Sequence, residues 1–272
     1  MRNNGFTLIE LVIVIVLLSI VSIFSFRFVG LGSEMYVTGA ERVKLLDQSR
    51  FTIERITREL RNSVPNSARV LTLADGSECL EFVPIKVAGT YYNAPFTSSA
   101  PESLELVTMA TGWTSINSGS LNNDRLFIYA TRPDFIYPDK PDGERRWSRV
   151  DSNQSRTGQQ TTVALESGFY FAEESSRQRL YVGRSPVSFC VQMDGKIKRY
   201  SDYGWNQTPI ASANELIGER VINLTSAGTK VPFEVENATL LRNNVIHVFL
   251  EYETAVGERL FFNQEIHIPN AP

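Results

Sequence analysis

The 272-residue chain has few of the residues that most enzyme and metal sites require. It contains two histidines, His247 and His267, and two cysteines, which argues against a metal site with several histidine ligands. The nucleophile elbow G-x-S-x-G, the Walker phosphate loop and the zinc motif H-E-x-x-H do not occur. The sequence therefore predicts a protein that is not an enzyme and needs no cofactor or metal.

An excess of positive charge is also missing. The chain has 27 lysines and arginines against 30 acidic residues, a net charge of -3 and a pI near 5.6. Nucleic-acid-binding surfaces are usually basic, so we expect no nucleic-acid partner. The hydrophobic content of 42% is that of an ordinary globular protein, enough for one large domain or two small ones.

Charge is almost absent from residues 6–26, where Glu10 is the only charged side chain. A helix over this run is about 30 Å long, which matches the hydrocarbon core of a bilayer. A charged residue at the centre of such a helix costs on the order of 3 kcal/mol, and less near the interface. Glu10 therefore needs a partner.

Three interpretations of this segment are open. A cleaved secretory signal peptide would have a basic start, such as Arg2, and a cut site, for example at Gly32-Ser33, but the apolar run is long and contains Glu10. A plain membrane anchor accounts for the length of the run and leaves the acid unexplained. The third interpretation accounts for both features.

The stretch Gly5-Phe6-Thr-Leu-Ile-Glu10, followed by an apolar run, resembles the class III signal of type IV pilins and type II secretion pseudopilins. The resemblance implies that prepilin peptidase cleaves between Gly5 and Phe6 and that Phe6 becomes N-methylated. It also implies that Glu10 faces the terminal amine of a neighbouring subunit during filament assembly. The physics agrees, because an acid and an amine in lipid each need the opposite charge.

The same resemblance implies a location and a set of partners. The chain would cross the inner membrane of a Gram-negative bacterium once, with a periplasmic head, and would lie in a cell-surface pilus after assembly. Its partners would be prepilin peptidase, other minor and major pilins, and the inner-membrane assembly platform. The expected layout is a leader (1–5), a transmembrane helix (6–30), an amphipathic continuation of that helix (31–64) and a head (65–272).

The pattern beyond the membrane segment predicts an α+β type IV pilin fold. Apolar residues recur at helical spacing up to Pro65, which ends the helix; they are Val43, Leu46, Ile53, Ile56, Leu60 and Val64. Strands are predicted at 69–73, 79–84, 86–92, 125–130, 187–193, 196–201, 220–224, 245–254 and 259–268, with a hairpin turn at Asp194-Gly195. We expect an antiparallel head of two small sheets, with long surface loops at 93–123 and 133–161.

The segments RFTIERITRELRNSVPNSARV and CLEFVPI, together with the closing FFNQEIHI, are similar to the large minor pilins of MSHA biogenesis systems, to J-type pseudopilins and to PilW-type minor pilins. A head of roughly 200 residues is bulky for a thin shaft, so the resemblance implies a minor pilin at or near the tip that primes assembly. A type II secretion pseudopilin and a ligand-binding tip module, for adhesion or DNA, stay open as alternatives.

Two further groups of residues have open interpretations. Cys79 and Cys190 either form a disulfide outside the inner membrane or remain two buried thiols. Tyr137, Arg145, Arg146, Trp147 and Arg149 combine cations with aromatic rings. They either form a partner or ligand loop, or they belong to a loop that Trp147 pins against the head.

Overall fold

The computed structural model describes residues 7–107, 124–138, 144–157, 160–205, 208–209, 214–224, 230–236 and 243–269. One long helix, α1 (Leu8–Arg61), precedes a β-rich head. The strands of the described part are β1 (Arg69–Thr72), β2 (Glu78–Phe82), β3 (Ile85–Asn93), β4 (Ser103–Val107), β5 (Arg125–Phe127), β6 (Trp147–Thr157), β7 (Gln160–Leu165), β8 (Arg179–Gly183), β9 (Val187–Val191), β10 (Ile197–Tyr200), β11 (Asn214–Gly218), β12 (Phe233–Glu236), β13 (Asn244–Glu253) and β14 (Arg259–Ile268).

The upper half of α1 packs on the head through a narrow stripe. Its buried residues are Leu45, Ser49, Thr52, Ile56 and Leu60, spaced three and four apart as on one helix face. Val43, which the sequence pattern put in this stripe, is exposed, and Leu45 lies in the core instead. The helix ends at Arg61, and Pro65 follows shortly after.

Two antiparallel sheets enclose this helix stripe. One has the order β1-β2-β9-β10-β11 and the other the order β12-β13-β14. Leu60, Phe82, Phe189, Leu250 and Ile266 are among the fully buried residues of the core that they share. The prediction of a long N-terminal helix packed on antiparallel sheets, an α+β architecture, is confirmed.

The prediction of only two small sheets is wrong, because six further strands close into a barrel of order β3-β4-β7-β6-β5-β8. Strand β4 lies inside the segment 93–123 and strand β6 inside 133–161, both of which were predicted to be loops, and β7 begins at the end of the second segment and runs beyond it. Along β4 and β7 buried apolar residues alternate with partly exposed polar ones, and Leu104, Leu106, Val163 and Leu165 point into the barrel core. The partly exposed Ser103, Glu105 and Thr162 are thus on the outer face of barrel strands.

The barrel is inserted into a hairpin of the five-stranded sheet. Phe82, the last residue of β2, is paired with Val187, the first residue of β9, and the barrel strands lie between them in sequence. The insertion begins at the end of α1, where the N–H of Val64 donates to Val83 O at 2.8 Å. Gly183 packs so closely there that an added Cβ would lie 2.3 Å from Val83 Cγ1. The barrel is therefore seated firmly at the end of the molecule opposite the membrane segment.

Three strands outside the barrel also differ from the sequence prediction. β11 and β12 were not predicted. The strand predicted at 220–224 is wrong, because this segment makes one isolated bridge, between Val221 and Tyr252, before a turn. The predicted turn at Asp194-Gly195 is confirmed between β9 and β10, with Gly195 at a φ of 77°.

Cys79 and Cys190 form a disulfide across the stem of the hairpin that carries the barrel. The two residues are directly opposite each other on β2 and β9, with Cα atoms 4.0 Å apart. Such short separations are typical of the pairs in an antiparallel ladder that do not exchange hydrogen bonds. The bond joins residues 111 positions apart and so closes the loop that contains the whole barrel.

Replacing both cysteines, as Cys79→Ser with Cys190→Ser, should lower the free energy of unfolding by about 4–5 kcal/mol, because the unfolded chain regains the freedom that a long closed loop had lost. Urea titration of the detergent-solubilised chain, followed by tryptophan fluorescence, measures this change. Wild-type protein treated with a reductant serves as the control and should behave as the double variant does. A double variant as stable as the oxidised wild type would contradict the disulfide's role.

Candidate processing and assembly site

The described chain begins with a helix cap that positions Glu10. Thr7 has an extended backbone and is the N-cap of α1; its Oγ1 accepts a hydrogen bond from the N–H of Glu10 at 3.4 Å. The Thr7 hydroxyl also lies 3.4 Å from Glu10 Oε2. Thr-x-x-Glu is the arrangement of a capping box, with the acid in the first turn. The pattern T-x-x-E before the apolar run is visible in the sequence, yet the role of Thr7 was not predicted.

This cap places the Glu10 carboxylate at the positive end of the helix dipole. Glu10 lies in the first helical turn, where the unpaired backbone N–H groups and the helix dipole carry partial positive charge. An acid here is less costly than the same acid in mid-helix, but half a charge does not neutralise a whole one in lipid. The site can therefore attract a further cation.

The part of α1 from Leu8 to Val37 touches no other part of the described chain closely enough to be buried. All of its residues are exposed, and its most apolar stretch is long enough and apolar enough to cross a membrane. Ser19, a polar residue inside this stretch, donates its hydroxyl to Ile15 O at 2.7 Å, so its hydrogen bond is made within the helix. A surface this apolar must be covered by lipid or by other helices.

Gly5 and Phe6, the predicted cleavage pair, lie outside the described residues. The first described residue is Thr7, which directly follows Phe6. Cleavage between Gly5 and Phe6 would leave the new amino terminus one residue before the helix cap. The amine and the Glu10 carboxylate would then occupy the same end of the same helix.

Comparison with known families matches residues 1–26 to the prokaryotic N-terminal methylation motif. Searches among curated proteins and among solved structures matched nothing. The chain therefore begins with a type IV pilin-like class III signal. This signal supports a type IV pilin-like protein, and it implies processing by prepilin peptidase and association with other pilins.

Gly5→Leu should block processing, because a bulky side chain at the cut position prevents close approach of the peptidase to the backbone. Immunoblots of membranes should show one unshifted band that retains the five-residue leader. Asn3→Leu changes the same leader by the same side chain away from the cut and should be processed normally. Normal processing of Gly5→Leu would contradict the assigned cleavage site.

The structure brings together the aromatic and basic residues around Trp147 but places the rings inside the head. Trp147 is fully buried, and Tyr137 is buried with its hydroxyl donating to Ser67 O at 2.6 Å. Both rings belong to an aromatic cluster between the barrel and the end of α1, which also contains Val64 and Trp205. Burial raises the pKa of Tyr137 well above its ordinary value, so the ring stays neutral.

The three arginines of this group are engaged within the chain. Arg145 and Arg149 both contact Glu166, at 2.7 Å and 3.3 Å, and Arg146 pairs with Glu173. Arg149 alone among the three has a largely accessible side chain, 48% exposed. The buried rings and the paired arginines favour the alternative in which Trp147 pins this segment, and the ligand or partner loop stays a prediction. Trp147 and Tyr137 pack with Val64 and Trp205 of the head, whereas the three arginines pair with glutamates of the barrel segment itself.

A buried polar network lies next to this cluster. Glu81 is 1% exposed and accepts hydrogen bonds from Arg69 and from the Tyr203 hydroxyl, the latter at 2.9 Å. The Arg69 guanidinium also lies 3.6 Å from the centre of the Tyr137 ring. Burial raises the pKa of Glu81, and the charge and hydrogen bond of Arg69 partly oppose that rise.

Arg69→Ala should lower the free energy of unfolding by about 3 kcal/mol at pH 7, because it leaves the Glu81 carboxylate buried without a cation. The pKa of Glu81 should then rise further. A carboxyl with a raised folded-state pKa stabilises the fold below its unfolded-state pKa and loses that contribution as pH rises through the folded-state value. The deficit of Arg69→Ala should therefore shrink as the pH falls from 7 to 4.

Urea titrations at several pH values measure this deficit. Arg69→Lys keeps the charge and should retain most of the stability. Adding Glu81→Gln to Arg69→Ala should remove the pH dependence of the deficit. A deficit that is constant between pH 4 and 7 would show that the loss of Arg69 acts only through packing on Tyr137.

Proposed function

We propose that the chain is a minor pilin that is incorporated at or near the tip of a type IV pilus of the MSHA type, where it primes assembly. The observation that carries the proposal is Glu10 in the capped first turn of a helix whose membrane half is not covered by any described residue of the chain. In the membrane, lipid covers this half. In a filament, the equivalent helices of neighbouring subunits cover it.

Charge pairing supplies the direction of assembly. A carboxylate in lipid and a terminal amine in lipid are each unfavourable alone and are both neutralised when two helices pack with a fixed stagger. Glu10 accepts the amine of an adjacent subunit in this scheme. A subunit that keeps this acid therefore has a neighbour on that side, which argues against the extreme terminal position of the filament.

The shape of the head supports a minor and distal role. The barrel adds about one hundred residues at the end of α1 that lies opposite the membrane segment. A shaft repeating such a head at every position would be crowded, whereas one copy near the tip has free space beyond it. The similarity of the helix end and of the closing hairpin to MshO-type minor pilins supports the same assignment.

Glu10→Ala should leave cleavage at Gly5 largely intact and reduce the amount of this chain in sheared pili by about tenfold or more, since the lost pairing is a charge pair in a low-dielectric environment. Glu10→Gln should behave in the same way, because glutamine keeps the capping geometry and lacks the charge. Immunoblots of the pilus fraction and of membranes measure both steps.

Glu34→Gln serves as the matched control, since Glu34 is an exposed acid of the same helix outside the apolar run, and it should be incorporated normally. Normal incorporation of Glu10→Gln would show that Glu10 acts only in capping the helix and that its charge is not needed for assembly. Deletion of the whole chain distinguishes the two filament types: loss of pili supports the proposal, and loss of protein secretion with pili retained supports a type II secretion pseudopilin.

A further inference from the structure

We propose that the free edge of β14 is a subunit-subunit contact, on which an edge strand of a neighbouring pilin head adds to the sheet in antiparallel orientation. The inference rests on the proposed function, since it names the surface by which the head meets its neighbour. It starts from hydrogen bonds that the described chain leaves unmade.

Strand β14 pairs with β13 on one side only. The N–H of Thr254 donates to Glu258 O at 2.8 Å, which fixes the alternation of the ladder: even-numbered residues of β14 bond to β13 and odd-numbered residues point outward. The outward N–H groups of Phe261, Asn263, Glu265 and His267 have no partner in the described chain. Among the outward carbonyls, that of Glu265 accepts the side-chain amide of Gln264.

The edge of β14 carries the charged residues Arg259 and Glu265, and the strand contacts α1, but proline and a β-bulge, two common protections of a free strand, are absent from it. Its ten residues contain no proline, and its pairing with β13 runs from end to end without a register shift. Phe261, on the outer face, is 73% exposed, and its ring stacks on Phe249 with centroids 6.3 Å apart. A long, regular edge with an exposed aromatic ring is the kind of strand that pairs with another chain.

The other edges in the described part of the head are better protected. The barrel is closed and has no edge. Strands β1 and β12 are edges of four residues each and contact one another, and β12 is tied to the neighbouring sheet because the N–H of Phe233 donates to Glu78 Oε1 at 3.0 Å. Strand β11 is shorter, with five residues and an irregular register against β10, although Leu216 on it is exposed. With ten residues, β14 is therefore the longest edge strand of the described head.

The strand directions define the partner. Strand β11 runs opposite to α1, because Glu215 pairs with Arg55 while the later Ile217 accepts a hydrogen bond from Thr52 at 2.7 Å. Strand β14 starts at the membrane-proximal end of the head, where the preceding Glu258 contacts Arg42 at 3.2 Å, and it rises alongside α1. The two flanking edges of the head therefore run in opposite directions.

Subunits whose helices point the same way can pair through two edges that run in opposite directions. Antiparallel pairing of two β14 strands would turn the two α1 helices in opposite directions, which a shared membrane does not allow. A strand that descends, as β11 does here, pairs with β14 while both helices stay parallel. The partner is therefore the descending edge strand of an adjacent pilin head, a head-to-side contact that suits a helical filament.

Asn263→Pro tests the contact. Proline removes an N–H that β13 does not use, so the hairpin should survive, whereas the added strand loses a bond and meets the proline ring. We expect normal cleavage, a folded head by circular dichroism, and about tenfold less of the variant in sheared pili, the effect of roughly one lost hydrogen bond with its desolvation. Normal incorporation would overturn the proposal.

Ala255→Pro is the matched control. It places a proline in the turn of the same hairpin, at the second position of the turn that the N–H of Gly257 closes onto Thr254 O, where proline is tolerated. This variant should be incorporated normally.

If Asn263→Pro does not fold, hydrogen exchange measured on the wild-type chain tests the proposed contact instead. The amides of Asn263 and Glu265 should exchange rapidly in the detergent-solubilised subunit and be protected in assembled pili. Rapid exchange in both states would overturn the proposal. A wild-type chain that is absent from pili would instead contradict the proposed function, whatever the state of β14.

Discussion

A carboxylate among lipid tails is the constraint from which the rest of the account follows. Glu10 stands at the start of α1, in a segment with no other charge, and the helix end offers it only partial compensation. In the proposed assembly, a cation from another chain completes the compensation. The same need makes the mature amino terminus an attractive partner, because an amine in lipid is equally unfavourable. Assembly then removes two penalties with one contact.

The continuous helix transmits this membrane contact to the head. The half that is exposed along its whole length becomes, without a break, the half whose stripe from Leu45 to Leu60 forms part of the core between two sheets. The barrel is held at the far end by close packing around Gly183 and by the aromatic cluster of Trp147, and the Cys79–Cys190 bond closes its stem. A stagger set at Glu10 therefore fixes the height of the whole head, including the β14 edge.

The sequence was informative where local chemistry decides the outcome. The uncharged run, Pro65 and Asp194-Gly195 each depend on neighbouring residues, and the helix and the turn follow from them. The barrel was not predicted because its strands are stabilised by distant partners: β4 pairs with β3 and β7, and its outer residues are polar. The residues around Trp147 show the same limit. A sequence that alternates arginines with aromatic residues can form an exposed binding surface or part of the core. The sequence does not distinguish the two, whereas the packing of Trp147 with Val64 and Trp205 places its ring in the core.

The mass of the mature amino-terminal peptide tests the central claim most directly. Tandem mass spectrometry of the chain isolated from the bacterium should show a polypeptide that begins at Phe6 and carries a methyl group on its α-amine. This terminus places a cationic amine at the membrane end of every helix, where Glu10 of a neighbour can meet it. A chain that begins near Ser33, as after cleavage of an ordinary signal peptide, or one that retains Met1 in the assembled filament, would contradict the account.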